Sequence, residues 1–511
     1  MSKMARKILK GLFNRISIVI LLICVQVIYF VFAVWKLSLY SQYISWGMTL
    51  ISVVVVLGII SHDENPSFKL AWCIAILAFP LFGGLFYLIV RKQTDNKAFR
   101  ERLQSTAQLT PALTQSESVL RMLCQCSEDA AIQAKYLVSK AGFPVYDASG
   151  AVYLPLGEVF VEELITRLGS AEKFIFMEYF IIADGKMWNR ILPILKQKAA
   201  DGVDVRVMYD SMGSLFLNPD NYYKQLEEQG IKCVEFNRFR PTASSIQNNR
   251  DHRKICVIDG RYAFTGGINI GDEYINQLDR CGHWKDNSVM IIGDAVKSFT
   301  HMFLQLWNSC RGEADNRDYL SETLPKIEND GFIIPYADTP WDDEFVSMSV
   351  YMNMISRAKK YLYITTPYFI IGDEFITALE LAAKSGVDVR VITPGVWDKK
   401  FVYITTCSYY ERLIKAGIRV YQYTPGFIHA KTFICDDEIA TVGTSNVDYR
   451  SMYLQYECGA WMFGCSCIKD IKEDILDIIE KSNEITYEQC RNTPLKIRVA
   501  QRLFQPFAPL M

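Results

Sequence analysis

The chain has 511 residues, of which 55 are basic and 56 acidic, giving a formal net charge of −1. Half of the residues are hydrophobic and 13% are aromatic, a composition that excludes a disordered chain. Because the charges balance, binding of a nucleic acid through its phosphates is disfavoured, and we expect no nucleic-acid partner. The length suits two or three domains rather than one.

Near its start the chain contains three long runs without a charged residue, Ile16–Trp35, Leu37–Ser61 and Leu70–Val90. About 20 apolar residues in a helix suffice to cross a bilayer. A single run could be a buried core helix or a cleaved signal peptide, but three in succession favour a membrane anchor. We therefore predict that residues 1–92 form a multi-pass anchor of two or three transmembrane helices in the cell membrane.

Basic residues flank this predicted anchor at both ends. Lys3, Arg6 and Lys7 precede the first run, and Arg91 and Lys92 follow the third. Basic flanks favour the cytoplasm, whereas three spans would separate the two groups, so two spans and three spans both stay open. On balance the flanks favour the cytoplasmic side for the catalytic part.

The rest of the chain is an internal repeat. Residues 93–148 are polar and are predicted to form a helical linker. Beyond them strands alternate with helices, and the hexapeptide Gly202–Val207 recurs unchanged as Gly386–Val391. Two unrelated α/β segments would not share it. We predict an α/β fold of two pseudo-symmetric lobes, residues 149–322 and 323–511, the second including a C-terminal tail. Each should have a mixed, parallel-rich sheet flanked by helices.

A polar motif occurs once in each lobe. Both copies read His-x-Lys-x4-Asp, and an Asn follows each His after 17 residues. Two of the five His of the chain occupy these positions, so accidental matching is implausible. The copies comprise His252, Lys254, Asp259 and Asn269 in the first lobe and His429, Lys431, Asp436 and Asn446 in the second.

The spacing suggests the chemistry. In a strand, residues i and i+2 share a face, so each His should point with its Lys while Ile255, Val257, Thr432 and Ile434 point into a core. Brought together, two imidazoles, two ammonium groups and two amides suit a phosphodiester, with one imidazole attacking phosphorus and the other protonating the leaving group. Lysine is a poor metal ligand at neutral pH. We expect no metal and no cofactor.

The paired motifs resemble those of the phospholipase D superfamily, and the whole layout resembles the bacterial cardiolipin synthases. The segment Asn65–Val90 resembles the N-terminal membrane segment of that family, and Gln501–Leu510 resembles its C-terminal tail. The likeness covers nearly the whole chain. Two departures stand out: the family usually has a His near position 288, where this chain has Asn287-Ser288, and Asn-Phe-Glu where it has Gln455-Tyr456-Glu457.

The resemblance implies a two-step transfer between two phosphatidylglycerol molecules of the bilayer. His252 would attack the first lipid to give a phosphatidyl-histidine and release glycerol. His429 would protonate that glycerol and then activate a hydroxyl of the second lipid, giving cardiolipin. The lysines and asparagines of both motifs would hold the phosphate oxygens.

Four carboxylates complete the predicted site. Asp259 and Asp436 belong to the motifs and are expected to brace the turn after each motif strand rather than to touch substrate. Glu457 occupies the family position for a carboxylate that orients a catalytic imidazole. We assign Asp286 as the partner of His252, with an ordinary surface salt bridge as the alternative.

Several alternatives share these residues. A hydrolytic phospholipase D, or a synthase using another alcohol such as serine, differs only in water exclusion and acceptor fit. A superfamily nuclease fits less well, because nothing basic surrounds the motifs. A non-catalytic membrane scaffold is expected to have lost a motif residue, and here every His and Lys is present. Assembly into a homo-oligomer stays open.

Overall fold

The structure is a computed structural model. It describes residues 25, 28–29, 40–63, 65–79, 84, 87, 101, 105, 110–215, 217–219, 221–238, 248–312, 318–321, 327–342 and 344–510. The chain divides into two compact units. One comprises residues 1–97, 239–248 and 505–511, and the other comprises residues 98–238 and 249–504. Most of both predicted lobes lies in the second unit, whereas residues 239–248 of the first lobe and the last seven residues of the second belong to the first unit.

The first unit contains two described helices, Tyr40–Ser61 and Pro66–Ala78, and a 3₁₀ helix, Gln505–Leu510. The side chain of Asn65 caps the second helix by accepting a hydrogen bond from the Ser67 N–H at 2.9 Å. Across the described residues, no helix combines the length and the apolar character needed to span a membrane. Most of the first apolar run, Ile16–Trp35, lies outside the described residues. Multi-pass anchoring therefore stays a prediction.

The second unit begins with the helices Glu117–Cys126 and Glu128–Ser139, which fall within the predicted linker. Among its described residues, the first lobe then contributes eight strands and four helices. The strands are β1 Ser149–Leu154, β2 Phe174–Tyr179, β3 Asp204–Asp210, β4 Lys232–Phe236, β5 Lys254–Ile258, β6 Tyr262–Gly266, β7 His283–Lys285 and β8 Ser288–Gly293. The helices are Gly157–Gly169, Lys186–Ala200, Tyr222–Glu227 and Val296–Arg311.

The second lobe repeats this series with additions at its end. Its strands are β9 Phe332–Asp338, β10 Tyr361–Thr365, β11 Phe369–Ile370, β12 Asp388–Pro394, β13 Arg419–Tyr423, β14 Gly426–Ile428, β15 Thr432–Cys435, β16 Ile439–Gly443, β17 Val447–Asp448, β18 Glu457–Phe463 and β19 Ser482–Ile485. Its helices are Val346–Arg357, Asp373–Lys384, Lys400–Ser408, Tyr410–Lys415, Tyr449–Tyr453, Cys467–Glu480, Tyr487–Arg491 and Leu495–Phe504.

The two main sheets have the same strand order. The first runs β1-β8-β6-β5-β2-β3-β4, and the second runs β9-β18-β16-β15-β10-β12-β13 with β19 added at its edge. This match confirms two α/β lobes with mixed sheets. The prediction that the sheets are parallel-rich is wrong. Within these two sheets, parallel pairing is confined to β2-β3-β4 and β10-β12-β13. Helical crossovers join these sheet neighbours, whereas tight hairpins join the motif strands β5 and β15 to β6 and β16.

The two lobes share a hydrophobic core. Helix Val296–Arg311 ends at Gly312, whose φ is +74°, and its residues Phe299, Phe303 and Trp307 recur with a helical spacing. Phe303 stacks on Phe176 of β2 at 4.6 Å between ring centroids. The same buried cluster includes residues of the second lobe, among them Ile434 of β15. The motif strands are therefore packed on their back faces against one common core.

Candidate active site

Each motif His lies just before a strand whose apolar residues are buried. Ile255 and Val257 of β5 and Ile434 of β15 enter the shared core, which confirms the predicted burial of those residues. Both imidazoles are only 7% exposed, and Lys254 and Lys431 are 1% exposed. The functional groups of the motifs are thus nearly withdrawn from solvent.

Backbone pairing joins each motif to the opposite lobe. The His252 N–H donates to the Tyr456 carbonyl at 3.0 Å, and the His429 N–H donates to the Lys285 carbonyl at 2.7 Å. Strand β14, which leads into His429, also pairs in parallel with β7 of the first lobe. The two arrangements are equivalent under the pseudo-two-fold repeat. They fix both motifs at the junction of the lobes.

Each imidazole contacts a carboxylate of the other lobe. His252 Nδ1 lies 2.9 Å from Glu457 Oε1 and 3.1 Å from Oε2. His429 Nδ1 lies 2.7 Å from Asp286 Oδ2. Our assignment of Asp286 to His252 is therefore wrong. The backbone pairing of Lys285 with His429 places the next residue, Asp286, beside the second motif, and the pairing of Tyr456 with His252 places Glu457 beside the first. With Nδ1–H donated to a carboxylate, Nε2 carries the lone pair of each imidazole.

The motif lysines place positive charge beside both imidazoles. Lys254 Nζ donates to the His252 carbonyl at 2.6 Å, and Lys431 Nζ lies 2.9 Å from His429 Nδ1. Burial lowers the pKa of Lys254 to about 8 and that of Lys431 to about 7, against the attraction of nearby carboxylates. Both groups are therefore poised to take up or release a proton near neutral pH.

The imidazoles are held neutral. Burial and the charges of Lys431 and Lys254 together lower the pKa of His429 to about 3, although Asp286 opposes them. Burial, then Lys254 and Lys431, also lower the pKa of His252. Each imidazole thus senses the lysine of the opposite motif, so the two motifs act as one electrostatic site. The ammonium groups of the two lysines suit the binding of an anion.

The two carboxylates differ in their protonation. Burial raises the pKa of Glu457 to about 7, although Lys254 and a hydrogen bond from Thr444 oppose this shift. Burial would likewise raise the pKa of Asp286, but His429 and Lys431 outweigh it and lower that pKa. Asp286 is therefore ionised at neutral pH, whereas Glu457 is near its midpoint. The pseudo-symmetric halves of the site are chemically unequal.

The residues beside these carboxylates also differ between the lobes. In the second lobe the Thr444 hydroxyl donates to Glu457 Oε2. Gly267 occupies the equivalent position in the first lobe, and a Cβ there would lie 2.0 Å from Asp286 Oδ1. The glycine thus provides the space that Asp286 needs. The sequence interpretation missed both residues, although each directly follows a motif glycine at the same step of the repeat.

The motif asparagines are buried, but their contacts are with the protein. Asn269 Nδ2 donates to the Tyr274 hydroxyl at 2.7 Å, and Asn269 Oδ1 accepts from the Ile181 N–H at 3.0 Å. The Tyr274 ring packs edge-on to His429 with centroids 5.6 Å apart. Burial raises the pKa of Asp448, and a hydrogen bond with the Asn446 side chain opposes that rise. Asn269 thus orients an aromatic neighbour of His429, and phosphate binding by either amide stays a prediction.

The motif aspartates lie at the opposite ends of the motif strands. Asp259 accepts from the N–H groups of Glu172, Lys173 and Phe174 at 2.7–2.8 Å. Asp436 accepts in the same way from Lys359, Lys360 and Tyr361 at 2.7–2.9 Å. Both aspartates have positive φ values, +53° and +57°. They connect the turn after each motif strand to the start of the neighbouring strand in the sheet, as the sequence predicts. The groups that they bond are backbone N–H groups and not the motif His or Lys side chains.

The two departures from the family pattern have structural roles. The Asn287 side chain donates to the Tyr153 hydroxyl at 2.9 Å and to Thr432 Oγ1 at 2.8 Å, so it links the lobes. The Tyr456 hydroxyl accepts from Trp341 Nε1 at 2.6 Å. Neither position supplies a group to the imidazoles through its side chain.

A buried charge network supports only the first motif. Arg253 lies on the strand face opposite His252, with its guanidinium 2.6 Å from Glu178 and 3.4 Å from Asp251. The equivalent residue in the second lobe is Ala430, which is buried in the apolar core. The charged residues Asp251 and Arg253 that flank His252 are visible in the sequence. Their partner Glu178 lies on β2, so the sequence near the motif does not indicate it.

Comparison with known proteins agrees with this geometry. Residues 164–307 and 351–478 match the family described as cardiolipin synthase, PLD-like domain, and residues 47–92 match the phospholipase D-nuclease N-terminal family. The chain belongs to the cardiolipin synthase family. It is accordingly a phosphatidyltransferase of the phospholipase D superfamily.

Individual cardiolipin synthases match over almost their full length. The cardiolipin synthase of Alkalihalophilus pseudofirmus is 34% identical, with 91% of this chain and 95% of that protein covered. The cardiolipin synthase of Geobacillus kaustophilus is 32% identical over 93% of this chain and 94% of its own length. An uncharacterized protein of Streptococcus mutans is 40% identical over 89% of this chain and 99% of its own length.

The fold of this cardiolipin synthase family member also has a solved counterpart. The crystal structure of phosphatidylserine synthase from Haemophilus influenzae superposes with a TM-score of 0.55 at 15% identity, covering 74% of this chain and 97% of that one. The likeness at this level of identity concerns the fold alone. It places the two-lobed arrangement among known structures.

Proposed function

We propose that the protein condenses two phosphatidylglycerol molecules into cardiolipin and glycerol. Membership of the cardiolipin synthase family supports this function, and one geometric observation carries the mechanism. Two buried imidazoles, each oriented through Nδ1 by a carboxylate of the opposite lobe, share one field from Lys254 and Lys431. This arrangement suits a phosphodiester at which one imidazole attacks and the other transfers a proton.

In the first step His252 Nε2 attacks the phosphorus of one phosphatidylglycerol. A P–N bond forms while the P–O bond to the glycerol headgroup breaks, and His429 Nε2 gives its proton to the departing oxygen. The lysine ammonium groups offset the charge that builds on the non-bridging oxygens. The products of this step are a phosphatidyl-histidine and free glycerol.

In the second step the same groups act in reverse. His429 takes the proton from a headgroup hydroxyl of another phosphatidylglycerol, whose oxygen attacks the phosphorus. The P–N bond breaks, His252 returns to its neutral form, and cardiolipin leaves. The transfer is balanced without any oxidant, reductant or metal.

The unequal carboxylates support this division of roles. An ionised Asp286 beside His429 stabilises a protonated imidazole, as an acid needs, whereas Glu457, with a pKa of about 7, leaves His252 closer to a neutral nucleophile. Binding of an anionic phosphodiester offsets the lysine charges and thereby raises the pKa of His429 toward the range in which it can carry a proton.

We also propose that the protein works at a membrane, attached through residues 1–92. The apolar runs of that segment and the match of residues 47–92 to an N-terminal family support the attachment. Crossing the membrane more than once and a cytoplasmic position for the lobes remain predictions, based on the apolar runs and their basic flanks. Retention of the full chain in membranes washed with alkaline carbonate would test the attachment, and release into the wash would contradict it.

The function is tested with the full chain purified in detergent and supplied with phosphatidylglycerol. We expect equal molar amounts of glycerol and cardiolipin. Phosphatidic acid as the main product would instead identify a hydrolase. Release of glycerol together with the phosphatidyl ester of a different added alcohol, and without cardiolipin, would identify another acceptor. Absence of both glycerol release and lipid products would overturn the proposal.

A further inference from the structure

The segment Val396–Phe401 lies at the rim of the active site. It follows β12 of the second lobe, and the Cys281 thiol of the first lobe lies 3.8 Å from the Trp397 carbonyl, so it meets the opposite lobe there. Within this segment Lys399 has an exposed side chain, with 56% of its surface accessible. The equivalent stretch of the first-lobe sequence, residues 212–217, contains no basic residue.

The position of Lys399 is fixed by its neighbours. Its ammonium lies 3.3 Å from the Tyr368 hydroxyl and 5.1 Å from the Tyr368 ring centroid. The Tyr368 hydroxyl in turn donates to Asp398 Oδ2 at 2.6 Å, and the Lys399 N–H donates to Asp398 Oδ1 at 2.7 Å. A long, exposed side chain is therefore held in one place rather than left to sample many rotamers.

This cation is connected to both catalytic halves. The Tyr368 ring lies 6.4 Å from Phe427, which lies 6.1 Å from the His429 ring. On the other side, the positive charge of Lys399 reaches His252, whose pKa is lowered first by burial, then by Lys254 and Lys431, and then by Lys399. Lys399 belongs to neither motif, yet its charge lies within the reach of the reacting groups.

The proposed reaction requires a second anion at this rim. The acceptor lipid attacks through a hydroxyl of its glycerol headgroup, and its own phosphodiester is attached three carbons away. The motif lysines already face the phosphate that reacts, so the acceptor phosphate must lie outside them, and two neighbouring anions repel each other. A fixed ammonium at the rim would offset that repulsion.

The surface beside Lys399 suits a lipid. Val396, Trp397 and Phe401 are 37%, 49% and 47% exposed, which is unusual for large apolar side chains in a short stretch that also carries two lysines. Aromatic and basic side chains together are typical of protein surfaces at the headgroup level of a bilayer. The apolar side chains can therefore meet acyl chains while the ammonium meets a phosphate.

We propose that Lys399, held by Tyr368 and Asp398, binds the phosphodiester of the acceptor phosphatidylglycerol. This inference rests on the proposed function and deepens it by assigning the second lipid its own subsite. Lys399 thereby favours transfer to a phosphate-bearing alcohol over transfer to one without a phosphate. The first chemical step does not use the acceptor phosphate that Lys399 binds.

Two reactions of the full chain in phosphatidylglycerol–detergent micelles separate these roles. Exchange of labelled glycerol into phosphatidylglycerol uses the covalent intermediate but an acceptor without a phosphate, whereas cardiolipin formation needs the second phosphate. For Lys399→Ala we expect cardiolipin formation to fall by about 10-fold and the glycerol exchange rate to fall much less. Lys399→Arg should restore cardiolipin formation, since it keeps the charge.

The neighbouring residue Lys400 is also exposed and provides the matched control. Lys400→Ala should leave both rates unchanged. Equal losses of both reactions in Lys399→Ala, or no loss in either, would overturn the acceptor subsite while leaving the synthase function intact. A wild-type protein that neither exchanges glycerol nor forms cardiolipin would instead overturn the function itself.

Discussion

Glu457, the first residue of β18 in the second lobe, contacts His252 of the first lobe, with 2.9 Å between Oε1 and Nδ1. Its counterpart Asp286 contacts His429 in the reverse direction. The carboxylate of each lobe therefore orients the imidazole of the other. Catalysis by this site depends on the packing of the lobes as much as on the motifs.

Replacement of either motif imidazole should abolish turnover. We expect His252→Ala and His429→Ala each to lower cardiolipin formation by at least about 1,000-fold, because one removes the nucleophile and the other the proton carrier. His283→Gln is the matched control, since His283 lies outside the motifs and contacts Tyr423. Rates are measured with proteins whose thermal unfolding matches that of the wild type. Substantial turnover in either alanine variant would exclude a two-imidazole mechanism.

The rise of the rate with pH should depend on one carboxylate, whereas Lys254 and Lys431, with pKa values lowered to about 8 and about 7, lose their charge as the pH increases and should give the fall of the rate at higher pH. The pKa of Glu457 is raised to about 7, so this group is neutral below pH 7 and ionised above it, and the rate should rise as pH increases through that value. Asp286, whose pKa is lowered, is ionised throughout. Glu457→Gln should lower kcat by about 100-fold and remove the rise.

The companion variant Asp286→Asn tests that assignment. It should lower kcat by a similar factor, yet keep the rise near pH 7, because Glu457 is intact. The measurement is kcat from pH 5.5 to 8.5 for the wild type and both variants. A rise that persists in Glu457→Gln would show that another group titrates there.

The motif aspartates should matter for stability more than for chemistry. Asp259 accepts three backbone hydrogen bonds at the start of β2, and its removal leaves those N–H groups without their acceptor. We expect Asp259→Ala to lower the free energy of unfolding by about 3 kcal/mol, measured by denaturant titration. The remaining folded protein should keep most of its kcat. A normal unfolding midpoint with lost activity would instead place Asp259 in the chemistry.

Gly267 should be intolerant of a side chain. A Cβ at this position would lie 2.0 Å from Asp286 Oδ1, so Gly267→Ala should displace the carboxylate from His429. We expect a loss of stability of about 1–3 kcal/mol together with a large fall in kcat. Gly169→Ala is the control, because no atom lies within 4 Å of a Cβ built there. Equal kcat values for the two variants would contradict the proposed fit between Gly267 and Asp286.

The sequence predicts the local features of this site well. Side chains alternate between the two faces of a strand, which explains why each His and Lys lie on one face and the apolar residues that enter the core lie on the other. The internal repeat predicts that the two motifs serve one site. The bracing role of Asp259 and Asp436 also follows from their place at a turn. These features depend only on residues close together in the chain.

Features set by contacts between distant segments were not predictable in the same way. The partner of Asp286 depends on β7 pairing with β14, and no period in either segment indicates that pairing. Strand direction was misjudged because buried strands read alike in parallel and antiparallel sheets. The Asp259-Gly260 pair after β5 is a hairpin signal that could have corrected this for the motif strands.

The crossed carboxylates make each half of the protein dependent on its twin. If the polypeptide were cut between β8 and β9, the first fragment would keep His252 without Glu457. The second fragment would keep His429 without Asp286. Mixing the fragments could restore turnover only by rebuilding both contacts at once. Neither half therefore holds a complete set of catalytic contacts of its own.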